Sequence, residues 1–294
     1  MVTPKYAGEV RLNKLIADIR QRLEREAPDL LSLFSIMSHE AQFARDWLRK
    51  DLACLPKGAS ILEVGGGIFL LSCQLVREGF SVTTVDPLGD GFSEFGKLRE
   101  HVLAVARASG PMPKMVESPI EEYIADGIFD FAFSINVMEH LNNPKEALAR
   151  VLKALKPGAS YRFFCPNYLF PYEPHFNIPT FFSKQITEKL FWKKITKNKR
   201  MEDPTGVWRS LNWITALDVR QYAKEQGWQS LEFRSETLAD ILERAVSDPE
   251  FSKRRAVWMV SIIRQTIGWK IHRLAKWFPV LLHPVMDCRL SRGA

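Results

Sequence analysis

Three consecutive glycines, Gly65-Gly66-Gly67, stand directly behind the run Ile61-Leu62-Glu63-Val64 and directly ahead of Ile68-Phe69-Leu70. Glycine lets a backbone bend sharply and approach a ligand with no Cβ in the way. If the residues after the bend open a helix, its unpaired N–H groups and positive dipole end face whatever occupies that bend. Nineteen residues beyond Gly67, Asp86 closes the run Thr83-Thr84-Val85-Asp86. A carboxylate there can accept both hydroxyls of a ribose. A dinucleotide fingerprint starting at Gly65 would need glycine at position 70, which is Leu70. The bend therefore suits a nucleoside ligand with no pyrophosphate to cradle. An NAD-dependent oxidoreductase is the weaker alternative, and a non-catalytic scaffold that keeps the fold is a third.

Such residues need an ordered frame. Apolar residues at helical spacing (Val10, Leu12, Leu15, Ile16, Ile19, Leu23) and a second run from Leu30 to Leu52 predict helices through the first 56 residues. Beyond the turn Pro56-Lys57-Gly58, strands are expected at Ser60–Val64, Ser81–Val85, near Pro113–Val116, at Phe129–Ile135 and at Ser160–Phe164. Helices alternate with them at Phe69–Glu78, Ser93–Ala108 and Pro144–Leu155. This alternation implies a parallel sheet with helices on both faces, and its Val-, Ile- and Phe-rich strands suit burial on both sides. From 167 to 210 the alternation stops, and Pro, Phe and Lys predict an irregular excursion with one basic helix. A helix at Ala216–Gln226, a strand at Gln229–Phe233, helices at Glu236–Val246 and about Lys253–Phe278, and a final strand within Pro284–Leu290 complete the expectation.

The 294 residues are 46% hydrophobic and 26% charged. These ordinary globular proportions exclude wholesale disorder, collagen-like repeats and a disulfide-stapled miniature. The longest uncharged run, Val64 to Val76, has 13 residues, three of them glycine. A spanning helix needs about 20 apolar residues, so no transmembrane segment is expected. Met1 to Gln21 is charged every few residues and predicts no secretory leader. Cys54, Cys73, Cys165 and Cys288 form no C-x-x-C pair, which fits reduced thiols in a soluble cytoplasmic protein.

In order and spacing, the motifs between Gly58 and Asn167 resemble those of class I S-adenosylmethionine-dependent methyltransferases. Glu63-Val64-Gly65-Gly66-Gly67 is similar to their first motif, E/D-x-G-x-G-x-G, and Asp86 to their ribose-binding acid. Asp126-Gly127-Ile128-Phe129-Asp130, continued by Phe131 to Leu141, resembles their fourth-strand motif. Leu155-Lys156-Pro157-Gly158-Ala159 and Pro166-Asn167 resemble the turn before their fifth strand and its end. Phe69 replaces the third motif glycine, and the adenine-binding Asp that usually follows the third strand falls on Ser118, beside Glu117. The resemblance implies an α/β, Rossmann-like, doubly wound fold whose mostly parallel sheet has an antiparallel last strand, with extra N-terminal and C-terminal helices. It implies S-adenosylmethionine as cofactor, held by Glu63, Gly65, Gly66, Gly67, Asp86, Glu117 or Ser118, and the backbone around Asn136. Residues 1–56 would then be a helical cover, 57–167 the cofactor-binding core, 168–227 an acceptor-binding excursion, and 228–294 a strand-helix-strand unit completing the same domain.

Transfer from a sulfonium is an in-line displacement. The protein must align the acceptor atom about 3–3.5 Å behind the methyl group and exclude water. A hydroxyl acceptor also needs its proton removed, and histidine is poised for that near neutral pH. His140 lies just past the fourth strand, on the edge where open α/β sheets bind ligands. His175 lies in Tyr172-Glu173-Pro174-His175-Phe176, after the fifth strand. These are the two candidate catalytic residues. Each has a plainer role available, His140 as a turn residue before Asn142-Asn143-Pro144 and His175 as a surface loop residue. Asn136, Glu139, His140 and His175 also fall where some relatives, the ubiquinone-pathway O-methyltransferases and small-RNA 2′-O-methyltransferases among them, hold a divalent cation. Asn136 removes the first carboxylate of that set, so the expectation is no metal. The acceptor is expected to be a small or lipid-attached molecule, methylated on oxygen.

The net charge of +7 is concentrated in two segments. Residues 181–210 hold 8 basic and 3 acidic residues, with Lys184, Lys189, Lys193, Lys194, Lys197, Lys199 and Arg200 interleaved with or flanked by Phe181, Phe182, Phe191 and Trp192. Residues 251–294 hold 9 basic and 1 acidic. In the expected last helix, Val260, Ile263, Ile267, Ile271, Leu274 and Phe278 form one apolar stripe, with Lys270, Arg273 and Lys276 off it and Trp269 and Trp277 alongside. Either the stripe packs on the domain and the cations form a solvated face, or the helix lies in a membrane interface. Nucleic acid is the weaker partner, because the rest of the chain is acidic.

Overall fold

The computed structural model describes residues 7–87, 93–181, 183–198, 201–228, 230–255 and 257–293. Phe182, Lys199, Arg200 and Gln229, named above, lie outside them. Helices α1 (Ala7–Glu26), α2 (Leu31–Trp47) and α3 (Arg49–Ala53) form the N-terminal cover. Leu12, Leu15, Ile19 and Leu23 recur on one face of α1 and are buried with Phe34 and Ala41 of α2. They pack on Ile68, Phe69 and Leu70, so the cover sits against the start of the helix behind the glycine bend.

The sheet follows from the alternation. Strands β1 (Ser60–Val64), β2 (Ser81–Val85), β3 (Lys114–Val116), β4 (Phe129–Ile135) and β5 (Leu155–Pro166) pair in parallel, in the order β3-β2-β1-β4-β5. Helices α4 (Leu70–Arg77), α5 (Ser93–Ser109) and α6 (Pro144–Ala154) connect them. Asn143 caps α6 by accepting from the Glu146 amide, with Pro144 in the first turn. Further along come β8 (Leu231–Phe233) and β9 (Val285–Ser291), and β9 lies antiparallel between β5 and β8. The chain reverses its strand order between β1 and β4, which leaves a crevice beyond their C-terminal ends.

Between β5 and β8 the excursion is more regular than its composition suggests. It contains a short hairpin, β6 (Tyr172–Glu173) and β7 (Ile178–Pro179), and helices α7 (Lys184–Thr196), α8 (Pro204–Ser210) and α9 (Ala216–Glu225). Tyr168, Phe176, Ile178, Ile195, Val207, Trp208 and Leu211 give it a small core of its own.

After β8 come α10 (Glu236–Ser247), α11 (Pro249–Lys253) and α12 (Val257–Gly268). A single helix from Lys253 to Phe278 does not form. Gly268 ends α12, Lys270 takes the left-handed φ of +58°, and Ile271–Trp277 continues as 3-10 turns. The apolar stripe is broken accordingly. Ile271, Leu274 and Phe278 are exposed rather than packed on the domain.

A buried ion cluster fastens the cover and the C-terminal strand to β5. Arg162 donates from Nε and Nη2 to Asp287 at 2.9 and 2.5 Å, and from Nη1 to Asp51 at 2.6 Å and the Trp47 carbonyl at 2.8 Å. Its guanidinium lies 4.0 Å over the Trp47 ring, whose Nε1 also donates to Asp287. Thr237 of α10 donates to the same carboxylate.

Candidate active site

The bend after β1 has the bare geometry that its glycines allow. Gly65 and Gly67 take positive φ values of +76° and +54°. A Cβ on Gly66 would overlap the Phe69 ring and Thr84 Cγ2, and one on Gly65 would overlap Val137. Among the described residues a Cβ on Gly67 would meet only Met37 Cε, at 3.9 Å, which leaves the space in front of it open. The Gly67 amide donates to Asp86 Oδ2 at 3.0 Å, so the carboxylate at the end of β2 stands against the bend. A bare bend, the N-terminus of α4 and an adjoining carboxylate together fit an adenosine-bearing ligand.

Glu63 supports this bend from behind. It accepts from Ser72 of α4 and from Thr84 Oγ1 at 3.4 Å. Burial, reinforced by Asp86, pushes its carboxyl well above the usual range. Glu63, expected as a cofactor contact, links β1, β2 and α4 through these hydrogen bonds. Ser118 donates to the Pro119 carbonyl at 3.0 Å, and Glu117 beside it is exposed. Arg99 of α5, which the sequence did not single out, donates to the Gly67 carbonyl at 2.8 Å and lies 4.9 Å from the Phe69 ring. Burial lowers its pKa, while Asp86 and Glu117 act in the opposite direction.

At the end of β4, Asn136 takes a left-handed φ of +54° and its amide donates to the Phe164 carbonyl at 2.8 Å. Asparagine tolerates that region better than most residues. The turn places Val137 on Gly65 and leads into Met138–His140, a 3-10 turn in which Met138 and Glu139 are buried. Asn212 staples this turn to the excursion, donating from Nδ2 to the Met138 and Leu141 carbonyls at 2.7 and 2.9 Å.

The turn and the β6–β7 loop bring His140 and His175 together, with ring centroids 5.3 Å apart, edge to face. Glu173 organises His175. Its buried carboxylate takes the His175 Nδ1 contact at 2.6 Å, the His175 and Phe176 amides at 3.1 and 2.7 Å, and the Tyr168 hydroxyl at 3.3 Å. Burial alone would lower the pKa of His175, but Glu173 raises it. His140 goes the other way: burial, His175 and Lys184 push it down to about 3. Its Nδ1 lies 2.7 Å from Ser210 Oγ, whose own hydrogen goes to the Val207 carbonyl. This contact holds the His140 ring in place.

Glu139 completes the group. It is fully buried, and neither carboxylate oxygen has a hydrogen-bond partner among the described residues. Burial lifts its pKa to about 7, with His175 pulling down and Glu173 pushing up. One ligand atom each from Glu139, His140 and His175 lies within 4.8 Å of the others, close enough to share one cation. Glu173, Ser210 and Asn212, which hold this group in place, carry no recognisable motif. Glu173 alone had a signal, its place two residues before His175.

Residues 36–245 match the family described as a methyltransferase domain. An uncharacterized protein of Mycobacterium tuberculosis is 50% identical over 281 residues, covering 96% of this chain and 95% of that protein. A ubiquinone biosynthesis O-methyltransferase of Rickettsia conorii is 30% identical over 119 residues, which is 40% of this chain and 37% of that enzyme. Among solved structures, the phosphoethanolamine N-methyltransferase 2 of Haemonchus contortus in complex with S-adenosyl-L-methionine aligns with a TM-score of 0.51 at 16% identity. That alignment covers 94% of this chain but only 60% of the other, and the likeness is one of fold.

Proposed function

The chain belongs to the methyltransferase-domain family and is an S-adenosylmethionine-dependent methyltransferase; on that premise we propose that it methylates an oxygen of a small or lipid-attached acceptor, with His175 taking the acceptor's proton. The cofactor supplies the electrophilic methyl group. Gly65, Gly66, Gly67 and Asp86 would hold its nucleoside part, with Glu117 or Ser118 and the backbone at Asn136 closing round it. The observation that carries the reading is the 2.6 Å contact between His175 Nδ1 and buried Glu173. A carboxylate on Nδ1 fixes the tautomer and leaves Nε2 to exchange a proton with the acceptor, with His140 beside it. Residues 168–227, which carry the hairpin, would form the acceptor side of the site.

Transfer of a labelled methyl group to a panel of phenols, catechols and amines tests this. Hydroxyl acceptors are expected to be methylated, and His175→Ala should lower kcat by about 10²–10⁴-fold. Its S-adenosylhomocysteine affinity should stay unchanged. Preferential methylation of amines, or full activity in His175→Ala, overturns the reading.

The unpartnered carboxylate of Glu139 favours a second reading, a divalent cation held by Glu139, His140 and His175. Such an ion would lower the pKa of the acceptor hydroxyl. Loss of activity on chelation, restored by Mg²⁺, Mn²⁺ or Zn²⁺, selects it; indifference to chelation selects the metal-free base.

Peripheral contact with an anionic membrane surface belongs to the same proposal, since a lipid-attached acceptor would require it. The chain from Phe251 to Met286 contains no acidic residue. Trp269 and Trp277 are 72% and 76% exposed, near exposed Leu274, Phe278 and Leu282 and the cations Lys270 and Arg273. The side chain of Lys276 lies outside the described residues. Flotation with anionic and neutral vesicles tests the contact; equal binding to both removes it. No helix among the described residues is long and apolar enough to cross a membrane.

A further inference from the structure

Three arginines gather round the Phe251 ring, with guanidinium carbons at 4.1 Å for Arg255, 4.5 Å for Arg244 and 5.5 Å for Arg254. Two of them are neutralised. Arg244 lies 3.0 Å from Glu40 Oε2 and 3.0 Å from Asp248 Oδ2, and Arg254 pairs with Glu40 Oε1. Burial would raise the pKa of Glu40, but the two guanidiniums hold it below the usual range. Arg255 is the third. Half-buried on Phe251, it has no carboxylate within ion-pairing distance and no side-chain hydrogen bond among the described residues.

The turn that carries Arg255 is clasped to the hairpin that carries His175. The Tyr172 hydroxyl donates to Asn177 Oδ1 at 2.5 Å, and Asn177 Nδ2 donates to the Arg254 carbonyl at 2.8 Å. Asn177 is two residues beyond His175, and Arg255 is one beyond Arg254. Arg255 is near enough for its charge to act on both Tyr172 and His175. Glu40 acts on Arg255 only at a distance, and the Arg255 guanidinium nitrogens stay open to solvent, free to receive an anion. The guanidinium fork fits a carboxylate or a phosphate through two parallel hydrogen bonds.

We propose that Arg255 is the anion-binding residue of the acceptor site, and that the acceptor carries a carboxylate or phosphate on the same small molecule as its reacting hydroxyl. This rests on the reading that the space beside His175 receives the acceptor. The experiment uses the full chain saturated with S-adenosylhomocysteine and titrated with 3,4-dihydroxybenzoate, 3,4-dihydroxyphenyl phosphate and neutral 3,4-dihydroxybenzamide. Calorimetry should give the anions about 10- to 100-fold tighter binding than the amide, as a charged hydrogen bond is worth. The tighter of the two anions identifies the group. Arg255→Gln should abolish that preference without changing affinity for the amide or for S-adenosylhomocysteine, and Arg255→Lys should keep part of it. Equal affinity for anions and amide, a preference that survives in Arg255→Gln, or no anion binding at millimolar concentration overturns the proposal. Methyl transfer to the amide at equal rates in wild type and Arg255→Gln, with no gain from an anionic group, would remove the subsite and leave O-methylation standing. Arg255-dependent binding without transfer to any hydroxyl would do the reverse.

Discussion

His140 and His175 meet edge to face, yet the protein drives their proton affinities apart. Burial and two cations keep His140 neutral, whereas Glu173, 2.6 Å from Nδ1, makes His175 the more basic ring. Two adjoining rings of different basicity can divide the work, one accepting a proton and the other positioning.

The raised pKa of His175 gives a pH dependence. The ring can act as a base only once deprotonated, so kcat should rise with pH through an inflection above the ordinary imidazole value. Glu173→Gln should move that inflection downward and lower kcat. The stabilisation from protonated His175 is present at low pH and lost as pH rises through its folded pKa. Glu173→Gln should therefore cost more stability at acidic than at alkaline pH. A pH–rate profile and thermal melts at both extremes check this; an unmoved inflection contradicts it.

Glu139 should make the metal-free protein less stable above neutrality. Its folded pKa of about 7, against an ordinary 4.5, means the native state holds a proton that the unfolded chain has released. Stability is then full below the unfolded value and falls as pH rises through 7, by about 3 kcal/mol in all. In the presence of a chelator, Glu139→Gln should melt higher than wild type at pH 8 and close to it at pH 5. Identical pH dependence of the two melts would refute the assignment.

Asp86 is expected to carry cofactor affinity through its carboxylate and through the Gly67 amide that it receives. Asp86→Ala should weaken S-adenosylhomocysteine binding by about 10- to 100-fold, the worth of one charged hydrogen bond. Titration calorimetry reads the change directly, and an unaltered dissociation constant would place the ribose elsewhere.

Arg162 neutralises Asp51 and Asp287 inside the protein. Arg162→Ala leaves both carboxylates buried with less compensation and should cost about 3–5 kcal/mol. Urea denaturation should show a lower midpoint; a loss below about 1 kcal/mol would mean the cluster is marginal to stability.

Much of the core was legible because its signals are local. Strands β1, β2 and β4 fall where their apolar runs predict, since burial on both faces of a parallel sheet leaves a near-continuous hydrophobic word. The C-terminal helix was misjudged because its stripe persists through Ile271, Leu274 and Phe278, while the backbone turns left-handed at Lys270. Periodicity reports which residues could share a face, not whether anything is there to cover it.

The sequence by itself determined the glycine bend, the carboxylate one strand over and the two histidines, because each depends on residue type within a short stretch of chain. Only the tertiary structure decided that Glu63 ties β1, β2 and α4 together, that Glu173 and Ser210 hold the two rings, and that Arg255 alone in its cluster has no ion pair among the described residues. These are properties of distance and burial between segments far apart in the chain, and no local pattern encodes the electrostatic environment that such packing creates.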